Sequence, residues 1–137
     1  MIHPTSVKGG ELAKAGPDGT INIDVGKIAA QSARFEAFNR SMSARAVSNA
    51  YGAGNVGHEA QHEINMSKNR GGNFPPNRAA EHWTEMNAYG TEQDIFRGLD
   101  FANGLWHPGM TLTQQEEAVS RYAEESTDVW CAHGGSC

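Results

Sequence analysis

Polar and apolar residues alternate through TINIDV at 20–25, which sets Ile21, Ile23 and Val25 on one face and predicts a half-buried strand. Beyond it the alternation is lost. The alanine-rich, proline-free stretch KIAAQSARFEAFNRSMSARAVSNA predicts helix, with Ile28, Phe35 and Phe38 as core contacts. YGAGN reads as an interruption, after which Asn55 caps a helix over about 56–66. Gly71, Gly72 and the Pro75-Pro76 pair end that helix. Asn77 then caps another over about 78–89, with Trp83 and Met86 facing inward; TEQDIFRGLDFANGL continues helically and offers Ile95, Phe96 and Leu99 to the core. Thr113-Gln114-Gln115-Glu116 reads as a capping box that opens a last helix, whose apolar side is Ala118, Val119, Tyr122 and Ala123. Residues 1–19, which close on the turn signal GPDG, and residues 126–137 read as irregular. The pattern predicts a single α+β domain over 1–137, dominated by helices, with a small β element ahead of the helix at 56.

Composition narrows the function more than the fold. Hydrophobic residues at 38% and charged residues at 20% fit a globular chain that builds its own core. A net charge of -5, with Lys and Arg scattered, argues against a nucleic-acid or anionic-membrane partner, because both reward a basic face. No run of about 18 apolar residues exists, so no membrane span is expected. The N-terminal stretch lacks the apolar centre of a secretory signal peptide. Export, if it occurs, is therefore expected through a specialised machine or as part of a larger parent. Cys131 and Cys137 flank a glycine-containing loop suited to a disulfide; free thiols, and behind them a Cys-His-Cys metal site with His133, are the alternatives.

The chemistry sits at His58-Glu59-Ala60-Gln61-His62, an H-E-x-x-H pattern. Four residues apart on a helix, both imidazoles share a face and reach one metal ion. Glu59 lies about 100° round the helix from His58, where it can hold a water without acting as a ligand. Zinc lowers the pKa of such a water towards neutrality, and Glu59 is the base that takes its proton. The bland reading of the same residues is a solvated helix face carrying two histidines. A catalytic zinc takes three protein ligands and leaves one position open, so a third must come from elsewhere in the chain. RAAEHWTEMNAYG supplies Glu85, with Glu81 one turn earlier as the main rival and His82 next. Tyr89, one turn past Glu85, could stabilise an oxyanion, and His107 in LWHPGM could donate to substrate; packing and an ordinary loop histidine are the alternatives for these two. Glu63 reads as a supporting or surface group.

VGHEAQHEIN followed by TEMNAYGTEQDIF resembles the zincin metallopeptidases, more narrowly the gluzincin type whose third ligand is a glutamate. It is similar to the toxin-type metallopeptidase domains at the C-termini of bacterial polymorphic and type VI secretion effectors. The resemblance spans about residues 20–100. It implies a zincin-like fold, Zn2+ held by His58, His62 and Glu85, and Glu59 as catalytic base. It further implies a protein or cell-wall peptide substrate, a secretion-apparatus carrier, an immunity protein, and action in a target cell or periplasm. Where many gluzincins place an aspartate four residues after the third ligand, this chain has Tyr89. An edge strand that aligns extended peptide above the motif helix is also implied, and TINIDV is the candidate. Two readings compete with the hydrolase: a non-enzymatic binding module with a structural metal site, and a small secreted interaction domain held by the Cys131–Cys137 bridge.

Overall fold

A computed structural model describes residues 2–7, 11–16, 18–69 and 75–137. Three short strands, β1 (Ile2–Pro4), β2 (Ala13–Ala15) and β3 (Ile21–Ile23), precede helix α1 (Val25–Ser32) and a 3₁₀ turn (Ala33–Phe38). Three long helices follow: α2 (Ala44–Lys68), α3 (Arg78–Gly98) and α4 (Leu112–Ala132). The result is an α+β, helix-dominated fold. No helix among the described residues is long and apolar enough to cross a membrane.

The expected strand is real but shorter and differently placed. β3 is the centre of the sheet, parallel to β1 and antiparallel to β2. TINIDV is therefore not an edge strand, and residues 2–4 and 13–15 are strands where irregular chain was expected. Val25 leaves the sheet because Asp24 caps α1, its carboxylate accepting the Lys27 N–H at 3.0 Å; Val25 then lies exposed in the first turn. Pro17 of the GPDG signal, and Gly71 and Gly72 of the expected helix stop, lie outside the described residues.

α2 is one unbroken helix, not two. It starts at Ser43, whose hydroxyl accepts the Ala46 N–H at 3.1 Å. Asn55, expected as a cap, sits mid-helix with its amide donating to the Tyr51 carbonyl one turn back, at 2.8 Å. Glycine in a helix interior costs about 1 kcal/mol relative to alanine, and here tertiary packing overrides that cost. A Cβ on Gly54 would lie 2.1 Å from the Phe96 ring, and one on Gly57 2.1 Å from Ile95. These glycines let α3 press against the α2 backbone. Contacts from Gly54 to Phe96, His58 to Glu92, and Asn65 to Thr84 then run in order along an antiparallel pair.

The core lies where α2, α3 and α4 meet, with Val47, Phe96, Phe101 and Leu105 fully buried; Ile28 from α1 and Ala118, Val119 and Ala123 from α4 complete it. Several expected core contacts are on the surface instead. Phe38 is 70% exposed because the chain turns at Asn39, which takes the inward place and bonds both the N–H and the carbonyl of Ala102. Trp83 is half exposed since the inward face of α3 belongs to Glu81, Thr84, Glu85, Ala88 and Glu92. Leu99 follows the end of α3 and is also exposed. The capping box of α4 forms two residues early: Thr111 accepts the Gln114 N–H, and the Gln114 side chain accepts the Thr111 N–H. α4 runs on to Ala132, so most of 126–137 is helical, and a disulfide joins Cys131 to Cys137 behind it.

Candidate metal centre

His58 and His62 stand one turn apart on α2, and Glu85 comes from α3 across the antiparallel interface. The two Nε2 atoms lie 3.1 Å apart. Glu85 Oε2 is 3.3 Å from His58 Nε2, and its Oε1 is 3.3 Å from His62 Nε2. Two donors at 2.0–2.1 Å from a tetrahedral zinc are separated by about 3.3 Å, so this triangle already has the spacing of three ligands around one small cation. All three residues offer a ligand atom within 4.8 Å of the others, and the cluster could hold a metal ion.

Unmet bonding points the same way. Glu85 Oε2, the oxygen turned to His58 Nε2, is buried without a well-aligned hydrogen bond, as are His58 Nδ1 on the Glu92 side and a Glu63 oxygen away from the cluster. Buried polar atoms in that state are uncommon, and an unplaced ion is one of the few reasons for them. Burial disfavours charge on His58, yet Glu85 and Glu92 hold its proton up to about 10. Burial likewise opposes the Glu85 carboxylate, but the two imidazoles keep it well below the usual range. Glu81 is pushed up to about 7 by burial and then by the neighbouring Glu85 charge. A cation among these groups supplies the charge that a shared proton otherwise provides, so its binding releases protons.

Glu92 was not anticipated. Its Oε1 lies 3.1 Å from His58 Nδ1, on the far side of the ring from Glu85. A carboxylate there would fix which imidazole nitrogen is presented to a metal ion. The available signal was spacing: Glu92 follows Glu85 by seven residues, two turns on one face. Loss of such a supporting partner weakens metal binding about 10- to 100-fold. Glu92→Gln should show that loss in a chelator-competition titration.

Glu59 is mostly covered, and its Oε2 accepts the Ala15 N–H at 2.9 Å, which ties the helix to the outer strand β2. Burial raises its pKa, against the pull of the two imidazoles. Tyr89 sits at the site differently from expectation. Its ring packs edge-on against His58 at 4.4 Å, while its hydroxyl shares a 2.6 Å hydrogen bond with Ser126 of α4. Burial raises the Tyr89 pKa, so it stays a neutral phenol. His107 is not part of the site: it is exposed on the α3–α4 loop, turned to the Pro108 carbonyl, and absent from the cleft lining. His82 faces Glu124 on α4 at 3.4 Å instead of the cluster. Glu81 lines the cleft beside Glu85; Glu63 is half-buried and not part of the lining, its pKa raised by burial.

The cluster opens on a cleft of about 1010 Å³. β2 and the residues just before it form one wall, α2 and α3 the floor, and Ser126, Val129 and Trp130 of α4 the other wall. The chain matches no family model, no curated protein and no solved structure.

Proposed function

We propose that this protein is a zinc-dependent hydrolase of peptide or amide bonds. The observation that carries the reading is the convergence of His58, His62 and Glu85 at tetrahedral spacing, with Glu59 beside them at the floor of an open cleft. Among the described residues the group holds three ligands, and a structural zinc is closed by four. That difference favours hydrolysis over a binding module with a structural site.

When bound, zinc supplies Lewis acidity that polarises a carbonyl and brings the pKa of water to about 7. His58, held by Glu92, and His62 present their Nε2 atoms, and Glu85 offsets the dication with its charge. Glu59 takes the proton from the attacking water and returns it to the leaving amine. The Ala15 N–H steadies Glu59 for both transfers. β2 is an edge strand and lines the cleft, so the peptide-aligning role moves from TINIDV to β2. Likeness of the two motif segments to effector metallopeptidase domains supports a toxin-like module acting on protein or cell-wall peptide. Such a module implies a secretion carrier and an immunity protein.

The test is stoichiometry joined to chelation. Purified protein should carry about one zinc per chain and cleave peptides or bacterial cell-wall material; a chelator should abolish cleavage, and added zinc should restore it. Cleavage that survives complete zinc removal would end the proposal.

A further inference from the structure

We propose that the far end of the cleft, at Arg34, Gln31 and Tyr51, is a subsite for a substrate carboxylate, which gives the enzyme a preference for acidic peptides. The inference rests on the hydrolase reading for its chemistry and on the cleft's charge distribution for its specificity. Around the metal cluster the lining is anionic, with Glu59, Glu81, Glu85 and Glu92. A substrate carboxylate is repelled there once those charges exceed what one dication offsets. Arg34 brings a cation into a lining that also holds Glu11 and Glu125.

Arg34 lies on the 3₁₀ turn with its guanidinium over the Phe35 ring, 4.9 Å from the centroid. That contact orients the planar fork while leaving its donors available. Among the described residues no carboxylate is within ion-pair distance of it; its guanidinium makes a long 3.5 Å contact to neutral Gln31 Oε1 and lies close to the Tyr51 hydroxyl. The Tyr51 hydroxyl reaches the same Gln31 oxygen at 3.5 Å. A guanidinium and a phenol thus converge as donors on one amide oxygen at this end of the cleft, and a substrate carboxylate can take that acceptor's place. Lys14, the other basic side chain of the lining, is on β2 next to Ala15 and so flanks the metal end.

The helix supplies the ruler. Tyr51 and His58 are seven residues apart on α2, which is about 10 Å at 1.5 Å per residue. An extended peptide advances about 3.3 Å per residue, so a carboxylate at Arg34 belongs to a residue about three positions from the bond cut. Charge-assisted, bidentate pairing of this kind gives about 10- to 100-fold discrimination over the neutral amide.

The experiment uses N-acetylated, C-amidated hexapeptides in matched pairs, with Asp or Asn placed at each position in turn. Wild-type zinc protein should cleave Asp peptides with kcat/KM about 10- to 100-fold above their Asn partners, with the largest ratio when Asp is about three residues from the cut. Arg34→Gln, at an exposed position, should keep its melting temperature and zinc while that ratio falls to about one. A ratio that survives in Arg34→Gln, or that is lost in Lys14→Gln instead, overturns the subsite. Calorimetric binding of the same pairs to zinc-loaded Glu59→Gln separates the two readings. Tighter Asp binding that depends on Arg34, with no cleavage by wild type, keeps the subsite and sinks the hydrolase. Equal binding and cleavage of Asp and Asn peptides does the reverse.

Discussion

Glu59→Gln should retain about one zinc per chain, keep its fold, and lose peptide turnover by about 10²- to 10⁴-fold, the usual contribution of a positioned general base. Glutamine has the same shape, and its amide oxygen can still accept the Ala15 N–H that now meets Glu59 Oε2. The tether between α2 and β2 therefore survives the substitution. What disappears is the negative charge that makes the oxygen basic enough to take a proton. Because Glu59 is not one of the three clustered ligands, metal content has no reason to change. Zinc analysis and cleavage rates on the same preparations test the claim. If the variant carries zinc and turns over at the wild-type rate, the general-base assignment is lost and another group must take the proton.

The second large effect concerns the third ligand. Glu85→Ala should weaken zinc binding by more than the roughly 100-fold upper range seen for supporting residues, whereas Glu81→Ala should change it only a few-fold. Glu85 is the carboxylate whose two oxygens each approach an imidazole at 3.3 Å. Removing it leaves two imidazoles and no carboxylate among the clustered ligands. Glu81 lies one turn earlier, and its pKa is pushed up to about 7 by burial and by Glu85 itself, so near neutrality it is partly protonated and a poor competitor for metal. Titration against a chelator of known affinity ranks the two variants. The opposite ranking would move the ligand back by one turn of α3.

Much of this centre was legible because it follows from helix periodicity. His58 and His62 need only one turn of α2 to share a face, and Glu85 needs only a return helix. Glu92 was passed over although its stretch was expected to stay helical, because a supporting carboxylate two turns past a ligand belongs to no motif and only its 3.1 Å approach to His58 Nδ1 distinguishes it from a surface glutamate. The misread break at YGAGN has a related origin: glycine propensity argues for a loop, and only the rings of α3 explain why the helix goes on. β1 and β2 are three residues each, too short to show alternation. Trp83 was placed inward by ordinary hydrophobic logic, which fails on a helix face that spends its interior positions on carboxylates.

The glycine contact on α2 also sets the tolerance of the chemistry. Gly54 precedes His58 by one turn and Phe96 follows Glu92 by one turn, so this contact is the rung next to the one that holds the histidine. A methyl group at 54 would arrive 2.1 Å from a ring carbon where ordinary contact begins at 3.4 Å. Metal–ligand bonds accept only about 0.2 Å of error. An alanine scan of α2 for metal binding should therefore score Gly54 beside His58 and His62, although it has no side chain: the spacing of the cluster is calibrated by an atom that is missing.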